Sequence, residues 1–196
     1  MTIYRDPMRT LPRSAEPLAP GRYVELGFRP PISFEIRDGT WVARQFVEGF
    51  FDVQQEPDTP DVIAVQFCRP TAVHRTADDA VAIGPSADAL AALRANPDLA
   101  VSPTESVTIA ERPAAGVDID TTTPRDADRP VFNPVLRVAA GPISLASARR
   151  LRLFWLDLED GPLVVLVGGS ITAWGRTLEA VGPVVASVRL ASPAPG

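Results

Sequence analysis

Arg150–Leu158 (RLRLFWLDL) and Leu163–Val167 (LVVLV) decide the fold class. They flank Glu159-Asp160-Gly161-Pro162, a strong turn signal, so the pair reads as two strands of a hairpin. The second run is apolar at every position, as expected of a strand covered on both faces. Ser170 then opens a helix in which Ile171, Trp174, Leu178, Val181, Val185 and Val188 recur at three- and four-residue steps. Ser170 is its expected N-cap. Gly182-Pro183 should kink or divide the helix, because proline lacks a backbone donor and clashes with the preceding turn.

Working outward, the first half of the chain is strand-like. Arg22–Phe28 and Ile32–Arg37 are short β-branched and aromatic runs separated by Pro30-Pro31. Asp38-Gly39 marks the turn into Trp41–Phe46, and Phe50–Gln54 is a further short strand. Val62–Arg69 alternates, with Ile63, Val65 and Phe67 on one face and Gln66 and Cys68 on the other. Ser86 is the expected N-cap of a first helix carrying Asp88 in its first turn and Leu90 and Leu93 on one face. Asn96-Pro97 ends it. Val107 with Ile109, and Val117 with Ile119, mark two strands joined by a turn at 110–113, and Thr121–Gly141 is polar with one short strand at Val131–Val138.

Hairpins outnumber strand–helix–strand crossovers, so the sheet should be mainly antiparallel. The expectation is an α+β fold, an antiparallel sheet flanked by two helices as an α/β/α sandwich. Residues 21–190 form the domain, 1–20 an extended lead-in outside the core, and 191–196 a flexible tail.

Composition narrows the chemistry. The chain has 196 residues, 45% hydrophobic and 22% charged, with one cysteine, one histidine and a net charge of −5. Mean hydropathy is +0.06 and the isoelectric point lies near 4.9. A single Cys68 excludes an internal disulfide and any cysteine cage, and a single His74 excludes multi-histidine metal sites. The acidic balance argues against nucleic acid and anionic membranes as partners. All 19 basic residues are arginine, so lysine nucleophiles and Schiff bases are excluded too. No run approaches the length of a membrane-spanning helix. Met1–Pro20 has Arg5, Arg9 and Arg13 but no apolar leader, so the chain reads as cytoplasmic as written, or extracytoplasmic if an upstream anchor has been removed.

Three stretches carry a resemblance: PGRYVELGFRPPISFEIRDGTWV (20–42), ALRANPDLAVSPTESVTIAERPAAGVDID (92–120) and RLRLFWLDLEDGPLVVLV (150–167) with the closing helix. In layout and turns they resemble uncharacterised envelope and lipoprotein-type domains of high-GC bacteria. Those are similar to the PsbP-like α/β/α-sandwich superfamily, shared by the photosystem II extrinsic oxygen-evolving protein and the Ran-binding nuclear-import factor. The resemblance implies a non-enzymatic role through protein partners and carries over no functional residue.

Each chemical constellation competes with a plainer reading. Gly168–Ser170 sits where a nucleophile elbow or phosphate loop would, but Thr172 and Ala173 stand where those motifs need glycine. Asp118, Asp120, Asp126 and Asp128 could face calcium, yet Arg125 and Arg129 interleave and outward carboxylates suffice. Asp157, Glu159 and Asp160 read as a solvated turn. Cys68 and His74 could pair as thiolate and imidazole, or be a buried thiol and a loop histidine. Trp41, Trp155 and Trp174 are core, or line a pocket. Arg149, Arg150 and Arg152 form a basic spot too small for nucleic acid.

No catalytic, cofactor or metal residue is assigned. The leading expectation is a non-catalytic interaction module for a protein or cell-envelope partner. The alternative is a carrier or sensor of a small apolar ligand, held between the sheet and the C-terminal helix. A hydrolase using Ser170 is a remote third.

Overall fold

The computed structural model describes residues 7–13, 15–122 and 131–191. In chain order the strands are β1 (Arg9–Thr10), β2 (Glu16–Pro17), β3 (Gly21–Glu25), β4 (Ile32–Ile36), β5 (Trp41–Val47), β6 (Phe50–Gln55), β7 (Ile63–Cys68), β8 (Ala72–His74) and β9 (Ala80–Ala82). Helix α1 (Ser86–Arg94) follows, then β10 (Leu99–Val101), β11 (Glu105–Ile109), β12 (Arg112–Thr121), β13 (Phe132–Val138), β14 (Gly141–Ala146), β15 (Arg149–Leu156) and β16 (Leu163–Ser170). A single 3-10 turn (Ile171–Ala173) leads into α2 (Trp174–Ala186), and β17 (Arg189–Leu190) closes the described chain.

The central sheet has nine strands in the order β10-β12-β15-β16-β7-β6-β5-β2, with β11 also on β12. Every pairing in it is antiparallel. One outer sheet runs β1-β3-β4-β17 and another β14-β13-β8-β9.

Alternation along the central strands separates two apolar cores. Phe51, Val53, Val65, Phe67, Leu163, Val165 and Val167 join Tyr23, Phe34 and Ile36 of the first outer sheet and Val181, Val184 and Val185 of α2. Leu151, Leu153, Trp155, Val164 and Leu166 join Val73, Val135, Leu136 and Leu145 of the second outer sheet and Leu90 and Leu93 of α1. The continuous run Leu163–Val167 is buried at each position and divides between both cores, as its composition requires. In the first core the rings interlock: Phe51 stacks on Phe67 at 4.6 Å and Phe28 meets Phe51 edge-on at 5.2 Å.

This architecture corrects the expected α/β/α sandwich. Half of the described residues are strand and 14% are helix, so the fold is β-rich. What covers each face of the central sheet is chiefly another small sheet, with one helix beside it. The discrepancy arises because β8, β9 and β10 are only three residues long, and β8 and β10 pair with β13 and β12, distant in sequence. The lead-in also differs from expectation. It is extended, but β1 pairs parallel with β3, β2 pairs with β5, and Leu11 and Leu18 are each 1% exposed within the first core. The helix ends differ as well. Ser170 makes no side-chain cap and ends β16, and α2 runs through Pro183 without dividing.

One side chain ties distant loops together. The Arg69 guanidinium donates to the carbonyls of Arg29 and Gly161, and to that of Pro162 at 3.3 Å.

Candidate ligand cleft

The polar cleft begins with a mismatch between the two faces of β6 and β7. One side of these strands carries Phe51, Val53, Val65 and Phe67, all at most 0% exposed. By alternation the other side carries Asp52, Gln54, Ala64 and Gln66. Over β15 and β16 that second side lies under α1 and the second outer sheet. Toward β5 it is open, forming a cleft of about 570 Å³. Gln54 and Gln66 line it, with Arg44 and Gln45 from β5, Arg149 from the start of β15, and the 58–62 loop.

Asp52 organises this surface. It is 2% exposed, so burial pushes its carboxyl above the usual carboxylate range. Hydrogen bonds from Gln54 and from the Gln45 backbone, the Arg44 charge and Gln66 oppose that shift. The backbone bond has a local cause. The β5–β6 register slips between Ala43 and Gln45, and such a bulge frees an amide from the ladder. Asp52 Oδ1 accepts the Gln45 N–H at 2.8 Å, while Oδ2 accepts from Gln54 Nε2 at 2.6 Å. One N–H of Gln54 is thereby committed to the floor, which fixes the amide facing the cleft.

Two guanidinium groups stand at the walls. Arg44 pairs with Asp58 at 2.5 Å. Arg149 donates to the carbonyls of Pro60 and Val62 and, among the described residues, forms no ion pair within 4.0 Å. Burial lowers its pKa from the usual arginine value, opposed by the charge of Asp61. Fixed amides beside a half-buried cation suit hydroxyl and carboxylate groups.

A second cleft, of about 410 Å³, lies beside Trp155 and is bordered by Ser86, Thr104, Glu105 and Asp157. Asp157 is already engaged there. Its carboxylate accepts the Ser86 backbone N–H at 3.0 Å, the Ser86 hydroxyl at 2.6 Å and the Trp155 indole N–H at 3.1 Å. It therefore caps the N-terminus of α1 from a strand end 71 residues away, where the sequence suggested a solvated turn residue.

The other sequence candidates disperse. Ser170 Oγ lies 2.9 Å from Thr172 Oγ1, with no histidine beside it. Cys68 is buried in the second core, and burial alone pushes its thiol up, so it stays protonated and unreactive. His74 is buried on β8, with Nδ1 3.3 Å from the Thr76 carbonyl, and no hydrogen bond joins it to Cys68. Asp118 and Asp120 each hold a bidentate pair across the β12–β15 ladder, with Arg152 and Arg150. Asp126, Asp128, Arg125 and Arg129 lie outside the described residues. Trp41 and Trp155 are core, and Trp174 lies under the Arg150 guanidinium at 5.7 Å. Where α2 crosses β16, a Cβ at Gly169 would come within 2.2 Å of Thr177 Oγ1, so helix and sheet touch directly there.

Sequence reasoning missed Arg44, Asp52 and Gln54. The only signal was FFDVQQ, in which Asp52 and Gln54 alternate with apolar residues, the usual mark of a solvated face.

No protein-family model and no curated protein matches the chain. Among solved structures it is similar to a crystal structure from Bacteroides thetaiotaomicron, at a TM-score of 0.40 and 10% identity. The match covers 84% of this chain but 46% of that one, so the chain spans about half the length of the structure it matches. Among the described residues no helix is long and apolar enough to cross a membrane.

Proposed function

We propose that this chain is a non-catalytic binding module whose β5–β7 cleft takes a hydroxyl-rich, carboxylate-bearing partner, as an acidic glycan of a cell envelope would be. The observation that carries the reading is the buried Asp52, which holds the Gln54 amide toward an open cleft edged by Arg44 and Arg149. Ordered amides lose little freedom on binding, and among the described residues the Arg149 cation forms no ion pair within 4.0 Å, the Asp61 charge acting on it from farther off. The PsbP-like resemblance adds the same expectation of a role through partners. It leaves open action in the cytoplasm or, through an upstream anchor, at the envelope.

Titration of the isotope-labelled chain with an oligogalacturonate probe tests the proposal. Saturable amide shifts should be confined to β5–β7 and the 58–62 loop, and should vanish in the Gln54→Ala/Arg149→Ala variant. An unchanged spectrum, or shifts that survive in that variant, would overturn it. So would turnover of the probe.

A further inference from the structure

On the opposite side of β6, strand β3 ends in a second polar anomaly. Glu25 is 2% exposed. Its Oε1 accepts the Gly27 N–H and the Arg13 guanidinium, each at 2.8 Å. Its Oε2 is buried and has no hydrogen-bond partner. A buried carboxylate oxygen without a donor is costly, and calls for a water, an ion or an incoming donor.

Glu25 forms one wall of a cavity of about 70 Å³ whose other walls include Phe28, Phe46, Phe50 and Phe51. Glu48 and Arg13 stand at its border. Arg13 is 63% exposed in its side chain and lies 5.6 Å from the Phe46 ring, so it holds Oε1 from outside. Two carboxylates against one guanidinium leave an excess negative charge. A carboxylate among aromatic rings favours a cation over a neutral donor. The volume admits a compact ammonium head better than a second planar guanidinium. The chain contains no lysine, so no side chain of its own can supply that group.

We infer that the Glu25 cavity is a receptor for one lysine ammonium group of a partner protein, which would bond Oε2 while Arg13 keeps Oε1. This site is separate from the β5–β7 cleft, and neither proposal depends on the other.

Nα-acetyl-lysine-N-methylamide, titrated into labelled protein, is the test. The Gly27 amide, which donates to Glu25 Oε1, should shift saturably. The norleucine analogue, lacking the ammonium, should leave Gly27 unmoved. Glu25→Gln should abolish the response. The exposed Glu48→Gln variant, which leaves the buried wall intact, should weaken it roughly two- to fivefold, the range of a surface charge pair. A cavity that holds only water predicts no saturable shift at Gly27 with either compound, and that result would overturn the inference. An equal response to norleucine, or one undiminished in both variants, would overturn it as well.

Discussion

The two faces of the central sheet are built from the same strands yet do different work. On β6 and β7 one face is a stack of phenylalanine rings closed by α2 and the first outer sheet. One residue along, the other face carries a buried carboxylate and two glutamines, and its cover stops short of β5. Strand alternation thus lets one hairpin serve as core on one side and as a polar site on the other. The lesson is that the cleft opens where the covering layer ends, above strands whose pairing slips only at the β5 bulge.

The largest contrast should come from truncation on the closed face. Phe51→Ala removes a ring that is 0% exposed and touches Phe28, Phe34, Phe46 and Phe67, and should cost about 3–5 kcal/mol in urea denaturation. Gln66→Ala, opposite on the neighbouring strand, should cost about 1 kcal/mol, the scale of one hydrogen bond. Similar losses for the two would mean that the faces are not energetically distinct.

Adjacent glycines sharpen the same comparison. A Cβ at Gly169 meets Thr177 at 2.2 Å under α2, whereas one at Gly168 meets only Leu151 Cδ2 at 3.3 Å on the other face. Gly169→Ala should lose about 1–3 kcal/mol, and Gly168→Ala clearly less, because a leucine tip can shift. Thermal unfolding of both variants side by side checks this. Asp157→Ala probes the anchor of the second face's cover. Loss of the α1 cap should cost about 0.5–2 kcal/mol, with faster amide exchange confined first to the helix's opening turn.

The smallest effect is a change with pH. Because the folded Asp52 carboxyl is raised above its unfolded value, its contribution is present below the unfolded value, about pH 4, and is lost as pH rises through the folded one. Asp52→Asn, which cannot titrate, should therefore be at its greatest disadvantage near pH 4 and least disadvantaged near pH 7. Denaturation midpoints across that range should converge upward. A gap that widens toward neutrality would contradict the buried, raised carboxyl.

Sequence patterns were most informative where a residue's face alone decides its fate. LVVLV announced a strand buried on both sides, and the steps through Val181, Val185 and Val188 announced the buried stripe of α2 and its exit. Patterns fail where a residue's fate depends on what lies above it. Asp52 and Gln54 alternate like any solvated strand, and only the bulge at Ala43–Gln45 and the edge of the cover make them a built floor. Asp157 sits in an acidic turn, and nothing near it in sequence reveals that Ser86 arrives from 71 residues away. In the outer sheets β3, β4 and β13 were legible as strands, but β8 and β9 were not, since three-residue strands carry no periodicity and are defined by their partners.

The β7–β16 pairing has a kinetic consequence. On one side of it, β5, β6 and β7 are successive hairpin neighbours; on the other, β15 and β16 form their own hairpin. The ladder from Val164↔Cys68 to Gly168↔Ala64 joins them across more than a third of the chain. Loop closure over that span must precede any reward from its contacts, so this seam, with the still longer β4–β17 closure, should hold back folding. Substitutions along the seam should slow refolding, while those in the flanking hairpins should act mainly on how fast the native state comes apart.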